Sequence, residues 1–246
     1  MWSRRQSLAG VAALAALATD SGAWAGVGEN QPQAAKRPET AQRLILIGDS
    51  TVADYPPARR PLAGWGQMLR AQLAGRAYVV NHAVPGASST SFRRQKWGLV
   101  HRLLAPKDIL LAQFGHVDAL SDATHSQVSI AQFQDNLRFF VDQAVGRGAR
   151  ALLVTPIARH HFAGDRVMQV LQPYVEATRA IATETRATLV DLSTNLSAAM
   201  EKEGKIATRQ WFMLGFDGHD TVHLSRLGAS IAGRMVAQSL QDLGLV

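Results

Sequence analysis

The feature that most constrains the fold is a regular alternation of short apolar runs with segments of helical character. The apolar runs have the length and bounding residues of buried strands and occupy residues 44–47, 78–81, 109–114, 151–154 and 188–192. Helical segments are predicted over residues 67–73, 94–104, 129–145, 166–185 and 193–202 and from Ser225 onward, with serines as N-caps at 129, 193 and 225. This alternation predicts an α/β domain with a mostly parallel sheet of about five strands and helices on both faces.

The first 25 residues have the features of an export signal. A twin arginine, Arg4-Arg5, precedes an apolar stretch over residues 8–18, and Ala23-Trp24-Ala25 supplies a small-x-small cleavage site. The stretch is shorter than the roughly 20 residues of a spanning helix. We therefore expect a signal peptide over 1–25, export to the periplasm or the extracellular medium, and no stable membrane insertion. The sequence does not decide between the general secretory (Sec) route and the twin-arginine (Tat) route of export.

Residues 26–42 are polar and aperiodic and are predicted to be a linker, which leaves one domain over residues 43–246. The chain has no cysteine, and this excludes disulfides, thiolate zinc sites and a cysteine nucleophile. Its formal net charge of +7 is compatible with an acidic polysaccharide or an anionic lipid surface, or with no acidic partner at all. The basic residues are scattered, so we expect no nucleic-acid partner.

The first apolar run ends in Gly48-Asp49-Ser50, which places a serine at the carboxyl end of a predicted strand. Ligands bind at this end of the strands in open parallel sheets. Ser50 is therefore a candidate nucleophile, although a serine there also caps helices. A serine nucleophile needs a base, usually a histidine oriented by a carboxylate.

Asp220 and His223 supply that pair of residue types within one short segment before the last helix. The spacing Asp-x-x-His is weak evidence alone, and Asp217 and His219 are close competitors. For the oxyanion of an acyl-transfer intermediate, the candidate donors are the backbone amides of Ser50 and Gly86. Glycine allows a backbone amide to approach a ligand closely, although Gly86 also fits a simple turn after Pro85.

Together these blocks resemble the SGNH (GDSL-type) hydrolase superfamily and, within it, the rhamnogalacturonan acetylesterase branch. The stretches that carry the resemblance are IGDSTVADY, GWGQML, NHAVPGASSTSF, KWGLV, ILLAQFGHVDA, LLVTPIARHHF and DTVHLSRLGA. The resemblance implies a flavodoxin-like three-layer α/β/α fold and a secreted serine esterase that removes O-acetyl groups from pectic or related polysaccharides. It further implies Ser50 as nucleophile, His223 as base, Asp220 as its partner, and no metal or cofactor.

One position departs from that family, whose third block usually reads Gly-His-Asn-Asp with the asparagine donating to the oxyanion. Here the block is Gly115-His116-Val117-Asp118, and valine has no donor. Loss of one such donor typically costs about 10²–10³ in turnover. Three interpretations stay open: a slower esterase, a replacement donor from His116 or a serine of 88–91, or a noncatalytic carbohydrate-binding homologue. A general short-chain lipase or esterase is a further alternative.

The expected partner is an acetylated polysaccharide or oligosaccharide, and the candidate substrate contacts are Asp49, His116 and Arg159. Arg159 follows the fourth predicted strand and could meet sugar carboxylates at the same edge of the sheet. Trp65 and Trp97 could stack on sugars, although tryptophans at such positions more often lie in the core. The sequence does not specify the oligomeric state.

Overall fold

A five-stranded parallel sheet organises the part of the chain that the structure describes. The computed structural model describes residues 42–122 and 124–246, so the predicted signal peptide and the linker up to residue 41 lie outside the described residues. The strands are β1 (Gln42–Gly48), β2 (Ala77–Asn81), β3 (Ile109–Gln113), β4 (Arg150–Val154) and β7 (Thr188–Val190), in the order β2-β1-β3-β4-β7. The predicted fold class is confirmed, and the strand bounds differ from the prediction by at most two residues.

β1 shows why these runs form central strands. Leu44, Ile45, Leu46 and Ile47 are all essentially buried. Leu44 and Leu46 belong to the apolar cluster on one face of the sheet, and Ile45 and Ile47 belong to the cluster on the other. A strand covered on both faces needs apolar residues at every position, which is the continuous pattern of the sequence.

Helices cover both faces of the sheet. They are α1 (Trp65–Gln72), α2 (Ser89–Gln95), α3 (Trp97–Leu103), α4 (Ile130–Gly146), α5 (Gln172–Thr185), α6 (Leu192–Glu203), α7 (Leu214–Asp217) and α8 (Arg226–Asp242). Apolar side chains of α1, α6 and α8 join the cluster of Leu44, and those of α2 to α5 join the cluster of Ile45. Two short 3-10 helices lie at Pro57–Arg59 and Ala207–Trp211. The arrangement is a three-layer α/β/α domain.

The predicted N-caps at Ser129 and Ser225 are confirmed, because their side chains accept from the amides of Gln132 and Gly228. The predicted cap at Ser193 is wrong. Asp191 caps α6 instead and accepts from the amide of Thr194, since β7 already ends at Val190.

The helix predicted over 94–104 is in fact two helices that begin earlier. Ser88 accepts from the amide of Ser91 and starts α2, and the backbone of Lys96, at φ −120°, separates α2 from α3. Residues 88–91, which precede the predicted helix, are therefore a capped helix start.

The first part of the helix predicted over 166–185 is also wrong. Phe162–Ala163 (β5) and Arg166–Val167 (β6) pair as an antiparallel hairpin around Gly164, whose φ is +60°. The helix begins only at Gln172, with Pro173 in its first turn, where a missing N–H costs no intrahelical hydrogen bond.

α8 packs closely against α1, and small residues form its buried face. A Cβ on Gly233 would lie 3.2 Å from the backbone nitrogen of Leu69 and from the carbonyl oxygen of Trp65, so a larger residue would push the helices apart. In the last helix the sequence has Leu227, Ile231, Met235 and Val236 three to four residues apart or adjacent, which predicts one buried stripe, but Leu227 is 51% exposed. Among the described residues, no helix has the length and apolar character required to span a membrane.

Candidate active site

Ser50 lies in a tight turn at the carboxyl end of β1. Gly48 is required at the strand end, because a Cβ there would lie 2.5 Å from the carbonyl oxygen of Gln113 on β3. The Asp49 carboxylate accepts from the Thr51 amide at 2.9 Å and from its hydroxyl at 2.7 Å. Gln113 in turn donates to the Thr51 hydroxyl at 2.6 Å. This network fixes the turn to the neighbouring strand and leaves the Ser50 side chain only 8% exposed.

His223 reaches Ser50 from the segment just before α8. Its Nε2 lies 2.9 Å from the Ser50 Oγ, although the two residues are 173 positions apart in the sequence. The segment is held in place on two sides: the Met213 amide donates to the His223 carbonyl oxygen at 2.8 Å, and the Ala63 amide donates to that of Leu224 at 3.1 Å. The imidazole position is therefore determined by the fold around it.

Asp220 orients this imidazole. Its Oδ2 lies 2.7 Å from His223 Nδ1, and its Oδ1 accepts from the amides of Val222 and His223 at 2.9 Å each. Burial alone would raise the pKa of Asp220, but the hydrogen bonds from His223 and from these amides outweigh it and leave the pKa lowered. An ionised Asp220 keeps the proton of neutral His223 on Nδ1, so that the Nε2 lone pair faces the Ser50 hydroxyl.

The side chains of the competing pair, Asp217 and His219, make no hydrogen bond with Ser50 or with the His223 ring. Asp217 Oδ1 accepts from the amides of His219 and Asp220, and the His219 ring turns back to the Asp217 carbonyl oxygen at 2.9 Å. Asp217 therefore shapes the turn that presents Asp220. Three of the residues predicted from the sequence, Ser50, His223 and Asp220, are hydrogen-bonded in series.

Gly86 lies in a turn beside β1. The Ala87 amide donates to the Val84 carbonyl oxygen at 3.1 Å, and the Val84 amide donates to the carbonyl oxygen of Gly48 at 2.9 Å. Gly86 itself has a φ of +76°, which disfavours any residue with a side chain. Among the described residues, neither the Gly86 amide nor the Ser50 amide donates a hydrogen bond, so both remain available to a substrate oxygen.

Val117 is 5% exposed and offers no donor. The serines of 88–91, proposed as substitutes, are already engaged. The Ser88 hydroxyl oxygen accepts from the Ser91 amide at 3.1 Å, the Ser91 hydroxyl donates to the Ser88 carbonyl oxygen at 3.2 Å, and the Ser89 hydroxyl donates to Asp118. The Ser88 hydroxyl also donates to the Ser91 hydroxyl oxygen at 3.3 Å, so a replacement donor from this stretch would have to break a local hydrogen bond.

His116, by contrast, has an unused ring nitrogen. The Arg159 guanidinium donates to His116 Nδ1 at 3.4 Å, so Nδ1 acts as the acceptor and the ring proton lies on Nε2. Nε2 is buried and has no hydrogen-bond partner among the described residues. Burial is the main cause that holds the pKa of His116 well below its usual range, and the electrostatic effects of Arg159 and His223 lower the pKa further. The Ile157 carbonyl oxygen raises the pKa but does not outweigh these effects, so the ring is neutral. His116 is thus a neutral N–H donor next to Val117 in the chain.

One expectation about substrate contacts is changed by the structure. Arg159 does not extend into solvent: its guanidinium contacts the ring and carbonyl oxygen of His116, and burial lowers its pKa. The core position that the sequence favoured for the tryptophans over a stacking role is confirmed, because Trp65 and Trp97 are 1% and 4% exposed. Trp65 donates to Gln113 at 2.8 Å, and Trp97 packs against Phe140.

Sequence reasoning missed the part played by Asp118, Ser89 and Asn136, which form a buried polar cluster beside the site. The only sequence signal was an aspartate within an otherwise apolar block. Within residues 42–122 and 124–246, no group of three or more His, Asp or Glu side chains is placed to hold a metal ion.

Residues 46–231 match the model of the GDSL-like Lipase/Acylhydrolase family. The chain belongs to this family. It is 33% identical over 214 residues to the rhamnogalacturonan acetylesterase RhgT of Bacillus subtilis (strain 168), over 82% of this chain and 91% of that protein. It is 29% identical over 207 residues to the probable rhamnogalacturonan acetylesterase YesY of the same strain, over 83% and 95% of the two chains.

Solved structures agree on the fold. The structure of the Bacillus subtilis protein YxiM matches with a TM-score of 0.76 at 30% identity, over 84% of this chain and 58% of that one, so this chain spans little more than half of YxiM. The acetylxylan esterase Axe2 of Geobacillus stearothermophilus matches with a TM-score of 0.64 at 18% identity, over 81% and 94% of the two chains. At that identity the likeness concerns the fold alone.

Proposed function

We propose that this protein is a serine esterase that removes O-acetyl groups from polysaccharides through an acetyl-Ser50 intermediate. The observation that carries the proposal is the hydrogen-bonded series Ser50 Oγ, His223 Nε2, His223 Nδ1 and Asp220 Oδ2, with separations of 2.9 and 2.7 Å. Such a series is the arrangement that activates a serine hydroxyl at neutral pH. Family membership supports a carboxylic ester hydrolase.

In the proposed mechanism, His223 Nε2 takes the Ser50 proton as Oγ attacks the acetyl carbonyl carbon. The resulting imidazolium is stabilised by the ionised Asp220 and then protonates the departing sugar oxygen. Water, deprotonated by His223, then attacks the acetyl-Ser50 carbonyl carbon. The bond between this carbon and Ser50 Oγ breaks, acetate leaves, and His223 returns the proton to Oγ. The developing oxyanion is stabilised by the amides of Ser50 and Gly86.

The proposed substrate class rests on the relatives and on charge. RhgT carries the name rhamnogalacturonan acetylesterase, and 82% of this chain aligns with it. A net charge of +7 suits an acidic, pectin-like polymer, because long-range attraction raises the local concentration of an anionic substrate. An acetylesterase acting on such polymers would work outside the cytoplasm, as the predicted signal peptide requires.

Acetate release tests the proposed substrate class. We expect purified protein to release acetate from acetylated rhamnogalacturonan faster than from acetylated xylan, and to cleave p-nitrophenyl acetate faster than p-nitrophenyl octanoate. A Ser50→Ala variant measured in parallel separates enzymatic release from spontaneous hydrolysis. Preference for the octanoyl ester would instead support the short-chain lipase alternative.

Replacing Val117 with asparagine should raise kcat for acetyl esters, because it adds a side-chain donor at a position where valine offers none. The gain should reach about 10²-fold if the site now has only its two backbone donors. Val117→Ala is the matched control, since it changes the packing without adding a donor and should give no increase. If Val117→Asn also gives no increase, another group already completes the oxyanion site, and His116, whose buried Nε2 has no partner among the described residues, is the candidate.

Because Val117 offers no donor to an oxyanion, a second candidate function is noncatalytic binding of carbohydrate. This alternative predicts that the protein binds pectic oligomers and that Ser50→Ala leaves both binding and any measured deacetylation unchanged. The same acetate-release experiment therefore decides between the two functions.

A further inference from the structure

We propose that Asp118 is a positioning residue that, through Ser89, holds the two loops of the oxyanion site together across the end of β1. The inference rests on the proposed function, because it assigns Asp118 and Ser89 a role in the site where Ser50 would react. Neither residue is proposed to touch the substrate.

The sheet order creates the need for such a connection. β2 and β3 lie on opposite sides of β1, so the loops that follow them flank the turn that carries Ser50. The loop after β2 carries Gly86, and the loop after β3 carries His116 and Val117. No strand pairing joins these loops, because β1 lies between the strands that they follow. Their separation must therefore be set by side chains above the end of β1.

Asp118 makes that connection with both carboxylate oxygens. Its Oδ1 accepts from the Ser89 amide at 3.0 Å and also from the Ser89 hydroxyl. Its Oδ2 accepts from the Gly115 amide at 3.1 Å. One carboxylate thus joins the first turn of α2, which follows the Gly86 turn, to the start of the loop that carries His116 and Val117.

Asp118 is itself held firmly, so it can serve as an anchor. Its carbonyl oxygen accepts from the Val128 amide at 2.9 Å and from the Tyr174 hydroxyl at 3.0 Å. On the other side, Asn136 of α4 donates to the Ser89 hydroxyl oxygen at 3.0 Å and to Thr90 at 2.8 Å. Both partners of the connection are therefore fixed to helices of the same layer.

The electrostatic setting is unusual for a purely structural hydrogen bond. Asp118 is fully buried, and among the described residues it has no ion-pair partner. Burial raises the pKa of Asp118 to about 6, and Asp49 adds a smaller effect in the same direction. The hydrogen bonds from Ser89 and Gly115 lower the pKa but do not outweigh the burial. A buried carboxylate without a cation is costly, and the hydrogen bonds from Ser89 and Gly115 are the contacts that offset this cost.

Ser89→Ala tests the inference with a small change. It removes the hydroxyl hydrogen bonds with Asp118 and Asn136 but keeps the one from the Ser89 amide to Asp118. We therefore expect kcat for p-nitrophenyl acetate to fall about tenfold with KM nearly unchanged. Asp118→Asn, which places an N–H group against one of the donors, should lower kcat further, by about 10²-fold. The matched control is Ser197→Ala. Ser197 is another buried serine and lies on α6, where its hydroxyl oxygen accepts a hydrogen bond from Gln169 at 2.9 Å.

A transition-state analogue distinguishes positioning from a general loss of structure. Phenylboronic acid forms a tetrahedral adduct with an active serine, so its inhibition constant should rise in Ser89→Ala by the same factor as kcat/KM falls. Inhibition by acetate, which lacks the tetrahedral centre, should stay unchanged. Ser89→Ala loses the hydroxyl hydrogen bonds with Asp118 and Asn136, and Ser197→Ala loses the one from Gln169. Both thermal midpoints should therefore fall, that of Ser89→Ala further, while only Ser89→Ala loses turnover.

The inference is overturned if Ser89→Ala keeps the turnover of the unaltered protein, or if Ser197→Ala loses as much. It is also overturned if the boronate affinity stays constant while kcat falls. These outcomes are separate from failure of the proposed function, which would appear as an unaltered protein with no esterase activity, or as a Ser50→Ala variant that retains it.

Discussion

Replacing Ser50 with alanine should lower kcat for acetyl-ester hydrolysis by roughly 10⁶-fold, the scale seen when the nucleophile of a serine hydrolase is removed. The reason is geometric: the Ser50 Oγ is the atom that lies 2.9 Å from His223 Nε2, and alanine leaves the base with no hydroxyl to deprotonate. Steady-state rates with p-nitrophenyl acetate and with acetylated rhamnogalacturonan measure the loss.

The control for this prediction is Ser197→Ala, which removes a buried hydroxyl on α6 and should leave kcat unchanged. Since the Ser50 side chain is small and its removal creates little cavity, the thermal midpoint of Ser50→Ala should stay close to that of the unaltered protein. An active Ser50→Ala variant would contradict the assignment of the nucleophile.

Asp220→Asn should lower kcat by about 10⁴-fold while leaving the fold intact. Asp220 Oδ1 accepts from the amides of Val222 and His223, so the asparagine oxygen should occupy that place and turn its NH₂ group toward His223 Nδ1. Nδ1 must then accept, and the ring proton moves to Nε2, where it faces the Ser50 hydroxyl. The base is present but in the wrong tautomer.

The chain contains a matched control for this change. Asp122 and His125 repeat the Asp-x-x-His spacing, and Asp122 Oδ1 lies 3.1 Å from His125 Nδ1. The structure places His223, and not His125, against Ser50. Asp122→Asn should therefore leave kcat unchanged, and equal losses in the two variants would contradict the role given to Asp220.

The sheet could be predicted from the sequence because its strands are apolar runs that need no long-range information. β3 and β4 are buried on both faces, so their position is encoded locally. The hairpin of β5 and β6 was missed because two-residue strands carry no periodic signal, and the start of α2 was missed because Ser88 caps a helix within a stretch of turn-forming residues.

The site was predictable only in part, for a related reason. The pairing of Asp220 with His223 is local, but its contact with Ser50 joins residues 173 positions apart and came from resemblance, not from spacing. The connection from Asp118 to Ser89 depends on two loops meeting above β1, which no local pattern encodes. The burial of Trp65 and Trp97 and the contact of Arg159 with His116 likewise follow from packing between elements distant in the sequence.

Labelling with a fluorophosphonate probe, followed by peptide mapping, tests the central claim most directly. The probe reacts with a serine whose hydroxyl is activated, so the folded protein should carry one label, on Ser50, and denatured protein should carry none. Asp220→Asn should slow this labelling strongly, whereas Asp122→Asn should not change it. Absence of label on Ser50 in the folded protein, or label on another serine, would contradict the account.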